Sequence, residues 1–119
     1  MSAPRTVAWD DLPADEVFPG IFRQTVVTSD ATIVRYVYHP GCVFPVHQHA
    51  DEQITVVHSG EIEFSVGGET VILRAGQLAV IPGGVPHGAR VTADEVVVTD
   101  NYIASADRQP LTFAPDDDA

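Results

Sequence analysis

Seven short runs rich in Val, Ile, Thr, Phe and Tyr, each closed by turn residues and none helical in period, constrain this chain more than any other feature. They cover 20–28, 32–39, 53–58, 61–66, 69–74, 77–81 and 96–103. β-Branched and aromatic side chains suit the pleated surface of a sheet. The separators carry residues that reverse a chain: Ser59-Gly60, Gly67-Gly68, Ala75-Gly76 and Pro82-Gly83-Gly84. Within 61–66, Ile62, Phe64 and Val66 alternate with Glu61, Glu63 and Ser65. A period of two gives each strand one buried face and one wet face. Consecutive strands of this kind predict an all-β sandwich or small barrel.

Residues 1–20 read differently. Pro4, Pro13 and Pro19 stand among Asp10, Asp11, Asp15 and Glu16, which excludes a long helix and leaves a lead-in arm with one helical turn. Trp9 and Phe18 are its candidate anchors. A single domain over 21–113 follows, then an acidic tail over 114–119. The 119 residues suffice for one core and not two.

Six basic residues against 17 acidic ones leave a formal charge of −11. Such a field repels phosphate backbones and anionic lipid, so neither nucleic acid nor a membrane surface is an expected partner. The single cysteine, Cys42, excludes an internal disulfide and a thiolate cluster, and reads as a small core residue. The N-terminal stretch lacks the apolar core of a secretory signal, and no run reaches the roughly 18–20 apolar residues of a membrane span. The expected compartment is the cytoplasm.

The candidate chemistry centres on His47 and His49, two residues apart. Continued in a strand, that parity puts Asp51, Gln53 and Thr55 on the same face. His87 follows a rigid Pro/Gly reversal that can deliver a third imidazole from a neighbouring strand. Imidazole nitrogens and an amide oxygen suit one divalent transition metal such as Zn, Ni, Fe or Mn. Asp100 and Tyr102 share the parity of Val96 and Val98, and on the residues alone two readings stand. They are a base and a pocket wall at a cavity rim, or a turn residue and a cover for the barrel mouth. Arg35 lies inside a strand, either clamping a substrate carboxylate or facing outward. His39 and His58 read as surface or edge residues.

Two patterns together resemble the cupin superfamily. Gly41, five residues, His47-Gln48-His49, then Gln53 and Gly60 resemble its first motif; Gly76, five residues, then Pro82, Gly84 and His87 resemble the second. The resemblance spans roughly residues 30–100. It implies a double-stranded β-helix, or jelly-roll, barrel holding one metal on His47, His49, Gln53 and His87, and a homodimeric habit. This chain has Gln53 where many cupins have Glu, and Val91 where the second motif often has Asn.

Within the superfamily, the stretches 47–53, 66–70 and 81–88 are similar to small pectin-degradation cupins that linearise cyclic unsaturated uronates. That likeness implies active-site roles for Asp100 and Tyr102, with Tyr in place of Phe, and for a late Arg to which Arg108 is nearest although two residues too far along. A neutral amide instead of a carboxylate leaves a divalent metal its full charge, which suits Lewis-acid work. The expected function is metal-assisted enolisation or isomerisation of a small oxygenated acid, uronate-like sugars first. The alternatives are a cupin dioxygenase or polyketide cyclase, and a cupin that binds a small ligand without turnover.

Overall fold

The computed structural model describes residues 3–103, and the strands there pair antiparallel in two facing sheets. In chain order they are β1 (Asp15–Phe18), β2 (Ile21–Val27), β3 (Ala31–Tyr38), β4 (Val43–His47) and β5 (Gln53–Ser59). There follow β6 (Glu61–Val66), β7 (Glu69–Arg74), β8 (Leu78–Ile81), β9 (His87–Arg90) and β10 (Val96–Ile103). One sheet has the order β1-β2-β3-β10-β5-β8 and the other β4-β9-β6-β7. This is the predicted all-β jelly roll. Among the described residues, no helix is long and apolar enough to cross a membrane.

Strand β3 shows why the sheets close face to face. Thr32, Val34, Tyr36 and Tyr38 are buried while Ala31, Ile33, Arg35 and Val37 are half-buried on the other face. Ile21, Ile62, Ile81, Val34, Val57, Val96 and Val98 lose almost all solvent contact between the sheets. Burial of this completeness stabilises by roughly 1.5–3 kcal/mol per large aliphatic side chain.

Three strands escaped the sequence reading. Strand β1 lies within the lead-in segment and forms the edge of the six-stranded sheet, paired with β2. Ahead of it, Trp9–Asp11 makes one 3-10 turn, and Gln24 Nε2 donates to the carbonyls of Trp9 and Leu12 at 2.7 and 3.0 Å. Phe18 meets Phe44 edge-on, their ring centroids 4.9 Å apart. Pro45 interrupts β4, and β9 carries Gly88 and Ala89, residues depleted in strands; the two pair with each other, and β9 also with β6. Gly88 permits this closeness: a Cβ there would sit 2.9 Å from the Phe44 carbonyl oxygen and 3.1 Å from the Val46 Cα.

Arg108 and the acidic segment 114–119 lie outside the described residues.

Candidate metal centre

The chain does not run from His47 to Gln53 as one strand, so the expected shared parity is not what unites them. Strand β4 ends at His47, residues 48–52 form a loop, and β5 begins at Gln53. Three segments converge instead. His47 pairs in register with His87 across β4 and β9, with ring centroids 4.4 Å apart. His49 approaches from the loop, 5.6 Å from His47 and 4.9 Å from His87 between ring centroids. The loop is fastened to the His87 turn: the Gly84 N–H donates to the His49 carbonyl at 2.7 Å. A side chain at Gly83 would collide with the Ala50 carbonyl, so that turn requires glycine to lie against the loop.

The hydrogen bonds determine where each ring keeps its lone pair. Nδ1 of His47, His49 and His87 lies 3.1, 2.9 and 3.0 Å from the carbonyls of Pro45, Asp51 and Val85. A carbonyl only accepts, so each Nδ1 carries the hydrogen and each neutral ring has its lone pair on Nε2. One ligand atom from each histidine falls within 4.8 Å of the others. His87 is 2% exposed, and its Nε2 is buried with no hydrogen-bond partner. Burial pushes its pKa down to about 4, against the bond to Val85 and reinforced by His47 and His49. A neutral, desolvated imidazole with an unused lone pair is what a metal ligand requires.

Gln53 completes the donor set. Its carbonyl Oε1 lies 3.2 Å from His49 Nε2 and accepts a hydrogen bond from the Tyr102 hydroxyl at 2.7 Å. Two lone-pair atoms thus face each other at the separation, about 3.0–3.4 Å, of neighbouring donors around an ion with bonds near 2.1 Å. The orientation of the amide follows from the next bonds. Thr55 donates to Asp100 Oδ1 at 2.8 Å and so accepts from Gln53 Nε2 at 2.9 Å. The donor set therefore fits a single divalent ion by its own chemistry: three imidazole nitrogens and an amide oxygen, all neutral, each fixed by a second hydrogen bond.

The six-stranded sheet supplies the remainder. Val34, Asp100 and Thr55 stand side by side on β3, β10 and β5, and the next row holds Thr32, Tyr102 and Gln53's end of β5. Asp100 and Tyr102 are 6% and 3% exposed, so both face inward and neither is a surface turn residue. Tyr36, Tyr38, Phe44 and Phe64 join His47, His87, Gln53, Asp100 and Tyr102 around a narrow cleft.

Arg35 is not among them, which corrects the expectation of a substrate clamp there. Its parity in β3 is opposite to that of Tyr36, so it lies on the outer face. There its Nη1 donates to Gln24 Oε1 at 2.9 Å and its guanidinium stacks 5.9 Å from the Trp9 ring centre. Glu52, the last residue of the loop, is exposed beside buried Gln53. Sequence reasoning assigned no role to Thr55, Tyr36 or Tyr38, although the period of two marks all three as inward.

Two facing antiparallel sheets carry three histidines whose ligand atoms lie close enough together to hold a metal ion. The family described as Cupin domain matches residues 34–99, and the chain belongs to it. Over 96 residues it is 32% identical to an H2HPP isomerase of Bacillus subtilis, a match covering 80% of this chain but 37% of that relative's length. The structure of KdgF from a Halomonas species superposes with a TM-score of 0.78 at 28% identity, over 88% of this chain and 97% of that one. The polyketide cyclase RemF from Streptomyces resistomycificus shares the fold alone: TM-score 0.76 at 17% identity, over 98% and 89%.

Proposed function

We propose that this cupin is a metal-dependent enzyme that enolises or isomerises a small oxygenated acid, with cyclic unsaturated uronates the first substrate class to try. The hydrogen-bonded series Asp100–Thr55–Gln53–Tyr102, joining a carboxylate to an all-neutral donor set, carries this reading. His47, His49, His87 and Gln53 would hold the metal. Bound there, a divalent ion supplies Lewis acidity undiminished by any ligand charge. Asp100 moves a proton at the carbon beside the polarised oxygen, its carboxylate oriented by the Thr55 hydroxyl. Tyr102 holds the Gln53 oxygen in position. Tyr36, Tyr38, Phe44 and Phe64 keep water from the reacting face. The isomerase name of the B. subtilis relative and the likeness to KdgF support this choice. Assembly as a homodimer belongs to the same reading, supported by exposed Leu78 and Val80 on edge strand β8.

The four aromatic walls favour a second reading, cyclisation or oxygenation of an aromatic substrate. One experiment separates them. Purified protein is analysed for metal, stripped with chelator, reloaded with zinc or nickel, and given an unsaturated uronate under argon. Product from the loaded protein and none from the stripped protein is the expected result. Equal activity without metal, or turnover seen only with iron and accompanied by oxygen uptake, overturns the proposal.

A further inference from the structure

We infer that a groove on the outer face of the six-stranded sheet is a second ligand site, built for a small oxyanion that carries an apolar ring. Trp9 and Arg35 close one end of the groove, His58 and Thr99 the other, and Ile33 and Val97 line it between them. Register fixes which face this is. Arg35 pairs directly with Thr99, and Ile33 with Asn101, while Asp100 and Tyr102 alternate with these residues along β10. Asp100 and Tyr102 line the metal cleft on the inner side of the same strand. The two sites lie on opposite faces of one sheet and share no lining residue.

Charge picks out the ligand. The groove is lined by an arginine and by no carboxylate, in a chain with 17 acidic side chains against six basic ones. Arg74 and Arg90 are each paired with a glutamate, Glu61 at 2.9 Å and Glu63 at 2.8 Å. Among the described residues, the partners of Arg35 are neutral. Its Nη1 donates to Gln24 Oε1 at 2.9 Å, and the Trp9 ring centre lies 5.9 Å from its guanidinium carbon. The bond to Gln24 uses one of the five N–H groups of the guanidinium. A positive charge without a counter-charge, half-buried in a groove, calls for an anion from solution.

The cation is also held ready. Gln24 Nε2 donates to the carbonyls of Trp9 and Leu12 at 2.7 and 3.0 Å, which leaves its oxygen to fix Arg35. A guanidinium fork positioned in this way suits bidentate pairing with a carboxylate or a phosphate. At the far end the polar groups are tied to one another. Asn101 Nδ2 donates to the carbonyls of Ile54 and Thr99 at 3.1 and 3.2 Å, and His58 Nε2 lies 2.8 Å from Thr99 Oγ1. Arg35 stands on β3 and His58 on β5, with β10 between them. Two strand spacings, about 10 Å, separate those strands, which is room for one ring and its head group. Ile33, Val97 and the indole of Trp9 offer the ring an apolar bed, and Arg35 takes the head group.

Trp9 is the single tryptophan of the chain, so its emission reports on this groove and not on the metal cleft. Full-length protein, zinc-free and zinc-loaded, is titrated with benzoate, phenyl phosphate and neutral benzamide while that emission is followed. Calorimetry on the zinc-free protein checks the affinities. The expected result is a saturable change with an anion, a much weaker response to benzamide, and the same Kd with and without zinc. A preference for benzoate or for phenyl phosphate supports the inference and fixes the head group. Arg35→Gln should weaken anion binding roughly 10- to 100-fold and leave zinc content and circular dichroism unchanged, with Arg35→Lys in between. No saturable response to either anion, an equal response to benzamide, an affinity unchanged in Arg35→Gln, or binding that requires zinc would overturn the inference. If Arg35→Gln does not fold, the Lys variant and the wild-type ratio of anion to benzamide affinity decide it.

Discussion

At the scale of single residues, Gln53 is dictated by its neighbours as much as by any metal. Its amide nitrogen donates to Thr55, whose one hydrogen is committed to Asp100. A Glu at 53 would bring an oxygen to the place of that nitrogen, and two acceptors would then face each other. Thr55 would have to turn its hydrogen from Asp100 toward the new carboxylate, freeing the base from its orienting bond. Gln53→Glu is therefore expected to bind metal more tightly, by charge, while kcat falls at least about tenfold, the scale of one buried hydrogen bond lost. Chelator competition and steady-state kinetics check the two halves, and Thr55→Val should add little in the Gln53→Glu background. Tyr102→Phe removes the bond to Gln53 Oε1 and should lower metal affinity roughly 10-fold, the lower end of such outer-shell effects. Titration with a metal indicator reads it. His47, His49, Gln53 and His87 were singled out by residue type and motif spacing, and the fold brings them together. Which arginine is buried was not: no local signal distinguishes Arg35, on the outer face, from buried Arg23.

At the scale of elements, the site rests on β4 and β9, two strands outside the runs read from the sequence. Runs with alternating aliphatic residues, such as 61–66, could be read directly because burial of one face imposes the period. Strands β4 and β9 were not, because Pro45 and Gly88 interrupt them and their mutual pairing joins residues forty or more positions apart. The loop between β4 and β5 was read as strand because His47 and His49 suggested a parity that the break at residues 48–52 removes. What joins these pieces is glycine used for close approach. Gly83→Ala forces the 82–86 turn away from Ala50 and with it the His49 carbonyl from Gly84. Gly88→Ala pushes β9 off the Phe44 carbonyl and separates His87 from His47. Both substitutions are expected to lower the thermal midpoint of the metal-free protein and to weaken metal binding more than ten-fold. Gly68→Ala, with open space around its Cβ position but a left-handed φ of +86°, should lower stability alone and leave metal affinity unchanged. Calorimetric melts with and without zinc, run on all three variants, distinguish backbone displacement at the site from ordinary turn strain.

For the whole molecule, the poised site couples folding to pH. His87 titrates near 6.5 in an unfolded chain and near 4 in the folded one, chiefly because burial disfavours its charged form. The unfolded state therefore binds more protons between those values. The resulting stability is fully present above pH 6.5 and is lost as pH falls toward 4, up to roughly 3 kcal/mol for a shift of this size. The metal-free protein should thus melt at progressively lower temperature from pH 7 to pH 4.5, and His87→Gln should flatten that slope by removing the titrating ring. Metal competes with protons for the same Nε2 lone pairs, so zinc should raise the melting temperature strongly at pH 7 and weakly at pH 5. The wide excess of carboxylates acts in the opposite sense, because their protonation relieves repulsion in a chain of charge −11. The difference between wild type and His87→Gln, measured at matched ionic strength, cancels that background. A difference that stays constant across the range would mean that the buried imidazole does not carry the pH dependence.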